Sequence, residues 1–115
     1  MTEERFSSRI TDNCMVLEVR GMLIENDNYE DLRLFVDQSI REGQRKFVID
    51  LGNLRLINSS GINLLVGIIK RINEHDGQVV FTRVPDKVTE LLNIIRLNAM
   101  LSLKNSIDEG IQSLN

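Results

Sequence analysis

Leu56-Ile57-Asn58-Ser59-Ser60-Gly61-Ile62-Asn63-Leu64-Leu65 is the stretch on which the reading of the fold turns. Before it lies the run Lys46 to Leu51, in which Phe47, Val48 and Ile49 follow one another without alternation. That is the pattern of a strand buried on both faces, usually a parallel strand covered by helices. After it comes a helical run from about Ser60 to Glu74, ended by His75-Asp76-Gly77. Two hydroxyls, one amide and one glycine therefore occupy a strand-to-helix junction. A helix N-terminus offers unpaired N–H groups and a partial positive charge. A serine there is either a cap or a place where a phosphate is tolerated.

On the N-terminal side, Arg5 to Thr11 and Cys14 to Arg20 read as strands joined by Asp12-Asn13, a hairpin turn. Gly21 marks a bulge or the end of the second strand. Asp27 to Glu42 reads as a helix, with Leu32, Phe35, Val36 and Ile40 on one face and Gly43 as its stop. On the C-terminal side, Gln78 to Thr82 is a short buried strand and Pro85-Asp86 opens a helix carrying Val88, Leu91, Leu92 and Ile95. Met100 to Lys104 is a weak strand. Ser106 to Leu114 is a short helix with Ser106 as its cap. The order β-β-α-β-α-β-α-β-α predicts an α/β domain spanning residues 1–115. Its central sheet is mostly parallel, with an antiparallel N-terminal hairpin at the edge. In open sheets of this kind sites gather beyond the carboxyl ends of the strands, where Asn58 to Gly61 falls.

The second helix is apolar around most of its circumference, through Ile62, Leu64, Leu65, Val66, Ile68, Ile69 and Ile72. Asn63, Gly67, Lys70, Arg71 and Glu74 form one narrow polar stripe. Glycine in a helix interior costs about 1 kcal/mol relative to alanine, so Gly67 has a reason. Either the stripe packs closely on a neighbouring helix of the same chain, or a partner protein docks on it.

The 115 residues are 42% hydrophobic and 27% charged, as in ordinary globular domains, and the net charge of −3 argues against nucleic-acid backbone binding as the main activity. A local basic patch stays possible. A single cysteine, Cys14, allows no internal disulfide and fits a reducing cytoplasm, where it reads as a small core residue. Neither a membrane span nor a secretory leader is expected. The lone histidine, His75, stands at the far end of a helix whose rise puts it roughly 20 Å or more from Ser59, too far for proton transfer. Without a phosphate-binding glycine loop or a metal-spaced cluster, the sequence predicts no catalytic residues, no metal and no cofactor.

The element order, the run Val48-Ile49-Asp50-Leu51 and the segment Ile57-Asn58-Ser59-Ser60-Gly61-Ile62 resemble bacterial anti-sigma factor antagonists, which have the STAS fold. The resemblance runs from about Val16 to Leu114 and includes Gly77-Gln78-Val79-Val80. It implies a protein that binds an anti-sigma factor, itself a serine kinase, and so frees a sigma factor. Phosphorylation of Ser59 would end the interaction, and a metal-dependent serine phosphatase would restore it. Asn58, Ser60, Gly61, Asn63, Gly67, Glu25 and Asp27 are the expected partner-binding residues. Two positions depart from the family pattern. Asn58 stands where an aspartate is usual, and Gly21-Met22-Leu23-Ile24 replaces Gly-Glu-Leu-Asp, with Glu25 and Asp27 just beyond. Two other readings compete: a constitutive STAS adaptor in a lipid transporter or stress-signalling complex, in which Ser59 only caps its helix, and a small enzyme of flavodoxin-like architecture.

Overall fold

A computed structural model describes residues 6–23, 28–94 and 102–115. Its elements are β1 (Phe6–Thr11), β2 (Cys14–Leu23), α1 (Asn28–Arg41), β3 (Lys46–Ile57), α2 (Ser59–Glu74), β4 (Gln78–Thr82), α3 (Asp86–Ile94), β5 (Ser102–Lys104) and α4 (Ile107–Leu114). The strands form one sheet in the order β1-β2-β3-β4-β5, antiparallel between β1 and β2 and parallel elsewhere. This is the expected order and sheet. Arg5, Asp27, Ile95 and Met100, at the expected ends of four elements, lie outside the described residues.

Local chemistry sets the corners. Asp12 and Asn13 both have positive φ, 51° and 67°, as a tight hairpin of right-handed twist requires. Glu30 and Asp31 sit in the first turn of α1 and Arg41 in its last, matching the helix dipole. Gln44 N–H reaches back to Ser39 O at 2.9 Å beyond Gly43, closing the helix end. Ser106 caps α4 by accepting from Glu109 N–H at 3.1 Å, as its sequence predicts.

Alternation along the strands divides the core in two. Met15, Leu17, Val19, Phe47, Ile49, Leu51 and Phe81 face α1, α2 and α3. Cys14, Val16, Val48 and Val80 face the other way and meet Ile111 and Leu114 of α4. Cys14 is thus a core residue, and burial pushes its thiol pKa up.

Two strand lengths differ from the sequence reading. β3 continues past Leu51 to Ile57, and β2 past Arg20 to Leu23. The two pair as far as Leu23↔Ile57, with register shifts after Glu18 and after Gly21. Gly21 has φ 77°, so it marks a bulge and not an end. The apolar run stops at Leu51 because β4 leaves β3 there: their ladder ends at Asp50↔Thr82. Residues 52–57 are less covered than the run before them, and Gly52, Asn53, Arg55 and Leu56 are exposed.

The parting of β3 and β4 is built on a buried carboxylate. Asp50 is 1% exposed and accepts hydrogen bonds from Thr82 Oγ1 (2.7 Å), Arg83 Nε (2.9 Å) and Arg83 Nη2 (2.6 Å). Arg83 adopts φ 50°, a left-handed conformation uncommon outside glycine, and its guanidinium covers Gly52, where a Cβ would lie 2.6 Å from it. Burial pushes the Asp50 pKa up, but the hydrogen bonds from Arg83 and Thr82 and the arginine charge outweigh this and hold it below the ordinary 3.8. Because the folded pKa is the lower one, the stabilisation is complete above about pH 3.8 and is lost as the pH falls through the folded-state value. Asp50→Asn should lower stability at neutral pH by about 1–3 kcal/mol, since it replaces charge-assisted hydrogen bonds from Thr82 and Arg83 to a buried carboxylate by weaker ones. It should also flatten the acid limb of a plot of unfolding free energy against pH. Denaturant melts of both proteins at several pH values check this.

Candidate functional site at the head of the second helix

β3 delivers Asn58, which has extended backbone (φ −118°, ψ −175°), directly into α2. Its side-chain oxygen accepts from Gly61 N–H at 3.0 Å, and its carbonyl accepts from Ile62 N–H at 3.0 Å. Asn58 is the N-cap. The helix accordingly begins at Ser59, one residue before the sequence reading. The sequence allows Asn58, Ser59 or Ser60 as the cap, and the structure selects Asn58, because an N-cap carbonyl must start the ladder and Asn58 O accepts from Ile62 N–H. A reading in which Ser59 serves only as the cap loses its basis.

Ser59 is the first helical residue. It is exposed, and among the described residues its hydroxyl has no hydrogen-bond partner. The first turn of α2 itself carries no acidic residue. Ser60 is half-buried and Gly61 is buried. Charge arriving at Ser59 would meet the positive end of a 16-residue helix.

On the flank of α2, Ser60, Asn63, Leu64, Gly67, Ile68 and Arg71 line an open groove whose far wall includes Arg33 of α1. Asn63 and Gly67 are both exposed. A Cβ at Gly67 would meet nothing within 4 Å, so the glycine is not there for packing inside the chain. Of the two readings of the polar stripe, close packing on a neighbouring helix is not what Gly67 provides among the described residues, while Arg71 at the other end of the stripe does meet α1. Arg71 holds α1 through an ion pair with Asp37, which raises the Arg71 pKa, and Arg33 pairs with Glu30 at 2.6 Å. The groove is thus walled by guanidiniums whose charge is already answered.

The structure brings Asn58, Ser59, Ser60, Gly61, Asn63 and Gly67 onto one continuous end and flank of α2. Glu25 and Asp27 lie outside the described residues. His75 is exposed at the other end of the helix, its Nδ1 2.8 Å from Arg71 O. Sequence reasoning missed Arg33 and Arg71 as groove walls and Asp50, Thr82 and Arg83 as the support below. These depend on which strands and helices become neighbours, and no local pattern announces that. Among the described residues there is no group of three or more His, Cys, Asp or Glu able to hold a metal ion. No described helix is long and apolar enough to cross a membrane.

Asn58→Ala should cost about 0.5–2 kcal/mol, and Asn58→Asp should keep the cap. Ser59→Ala should leave stability within about 0.5 kcal/mol, since the hydroxyl bonds nothing. Thermal melts of the three variants separate the two residues' roles.

Comparison with known proteins places residues 5–110 in the STAS domain family. The chain is similar to the anti-sigma-B factor antagonist of Staphylococcus aureus, 26% identical over 72 residues that make up 63% of each chain. The fold is similar to a crystal structure of a protein from Thermotoga maritima (TM-score 0.85, 22% identity, 95% of this chain and 93% of that one). It is similar also to the Bacillus cell fate determinant SpoIIAA in the phosphorylated form (TM-score 0.77, 17% identity, 96% of this chain and 99% of that one).

Proposed function

The chain belongs to the STAS domain family, and from that membership we propose that it is an anti-sigma factor antagonist switched by phosphorylation of Ser59. Its partner is a serine-kinase anti-sigma factor that docks on the head of α2 and the groove beside Gly67. The observation that carries the reading is the division of work between two adjacent residues. Asn58 takes the cap, and Ser59 is left exposed with its hydroxyl unused. The Staphylococcus relative is named as an anti-sigma-B factor antagonist, and the Bacillus fold neighbour has been solved phosphorylated, which supports the assignment.

In the proposed switch the Ser59 oxygen attacks the γ-phosphorus of ATP bound to the kinase. The bond to ADP breaks, and the hydroxyl proton passes to a base on the kinase. The product carries about −1.5 to −2 charge at the start of α2. The helix dipole favours that charge and Asn58 still holds the cap, so the fold persists while the docking surface changes sign and shape. A metal-dependent serine phosphatase removes the group and restores binding. The chain itself supplies no catalytic group, and its action is cytoplasmic.

Incubation with its cognate kinase and ATP should add one phosphate to the wild type and none to Ser59→Ala. Ser59→Asp should weaken kinase binding. Full activity of Ser59→Ala in cells, together with unaltered binding by Ser59→Asp, would favour the constitutive adaptor instead. Gly67→Leu should fill the groove and weaken kinase binding about tenfold, which is about 1.4 kcal/mol. It should leave the fold as stable as before or up to about 1 kcal/mol more so, since leucine is the better helix former. Calorimetric titration and a thermal melt of the same variant test both halves.

A further inference from the structure

β3 outlasts one of its two neighbours. Its ladder with β4 ends at Asp50↔Thr82, while it runs on beside β2 to Ile57. On the side that β4 vacates, no described strand pairs with the remainder. Arg83 closes the lower end of this edge, since its guanidinium covers Gly52, and Gly52 N–H bonds the Asp50 carboxylate. Asn53 to Ile57 are left as an open edge. Such an edge presents N–H and C=O groups at the spacing that another extended backbone matches.

A cleft of about 470 Å³ follows the edge. Leu54, Arg55, Leu56 and Ile57 form one wall, and the start of α3 from Pro85 to Val88, with Glu90, forms the other. Because consecutive strand residues line it, the cleft follows the backbone and not one face of the sheet. Leu54 and Val88 belong to the core on the helical side, and Ile57 packs against it. Leu56 is 52% exposed. Gly21 faces Leu54 and Met22 faces Leu56, so Arg55 is an extra residue and β3 bulges at this point. Aliphatic groups therefore flank the edge on both sides. Charge does not choose the occupant, because the cations Arg55 and Lys87 are matched in number by the anions Asp86 and Glu90, all four exposed. An unpaired backbone with aliphatic flanks fits an extended, uncharged, aliphatic segment. A helix satisfies its own N–H and C=O groups and would leave the edge unpaired. The edge leads through Ile57 directly to Asn58 and Ser59, within reach of a protein docked at the head of α2.

We propose that the open edge of β3 accepts an extended aliphatic segment of the partner that docks at Ser59, added as a strand where β4 has left. The identity of the partner rests on the Ser59 reading, and the pairing chemistry does not. The isotope-labelled full chain is titrated with a capped peptide of alternating valine and threonine, with the same peptide N-methylated at alternate residues, and with an alanine-rich helical peptide. The unmodified peptide should shift the amides of Asn53 to Ile57, Lys87 and Val88, with an affinity that changes less than about twofold between low and high salt. N-methylation removes backbone donors and should weaken binding about tenfold or more. Leu56→Lys, a change at an exposed side chain, should weaken it about fivefold. Hydrogen exchange of the full chain is then followed with and without the kinase that phosphorylates Ser59. Bound kinase should slow the cleft-facing amides of residues 53–57 about tenfold or more, in the wild type and in Ser59→Ala alike. The proposal is overturned if the peptide shifts nothing along the edge, or if the N-methylated or helical peptide binds there as tightly. It is overturned also if a kinase that phosphorylates Ser59 leaves these amides exchanging as in the free chain, a result that leaves the Ser59 switch standing. A kinase partner that adds no phosphate at Ser59 overturns the switch and, with it, the partner named here.

Discussion

A carboxylate inside a parallel sheet has to be neutralised where it stands, and the neutralisation of Asp50 shapes what surrounds it. Thr82 and Arg83 donate to it from the end of β4, and Arg83 pays for nothing else so visibly as this, holding a left-handed backbone to reach back over Gly52. That turn is where β4 leaves the sheet. β3, released from β4, goes on with β2 alone to Ile57. Ser59, the proposed phosphoacceptor, therefore stands on a two-stranded extension above the five-stranded body. The ion pair of buried Asp50 with Arg83 thus stands at the exit of β4, where the β3–β4 ladder ends.

At that head the demand of helix formation falls on one residue and spares its neighbour. A helix start needs an acceptor for its first free N–H groups. Asn58 meets this need through Oδ1, and the neighbouring hydroxyl is left over. A charge-bearing modification at Ser59 then leaves the cap in place. Asparagine where the family commonly has aspartate keeps the capping oxygen and omits the formal charge. A phosphate at Ser59, as proposed, would therefore not face a second anion at the cap.

The two faces of the sheet are built by opposite rules. One meets three helices through an aliphatic and aromatic core. The other meets one short helix over a small cluster and then carries polar and charged side chains of both signs, Glu18, Asp50, Thr82 and Lys104 in one row. Gly67 follows a similar logic on α2. Its missing side chain leaves space open to solvent, so the conformational freedom it retains is spent on shape at a surface and not on packing.

Much of this was written in single segments of the chain. The unalternating Phe47-Val48-Ile49 run, the 3.6-residue spacing of Leu32, Phe35, Val36 and Ile40, the Asp12-Asn13 turn and the Ser106 cap each act over a few residues. They determined the element order and the position of the Ser-Ser-Gly junction, because propensity, capping and periodicity are local. The tertiary structure decided the rest. Whether residue 58 or 59 caps α2 depends on where β3 ends, and that depends on its pairing with β2. Whether Gly67 faces a helix or solvent depends on how α1 leans on α2. Whether Asp50 meets Arg83 depends on a register across 33 residues of chain. Such contacts join segments distant in sequence, and their energies exist only once the sheet has brought the segments together.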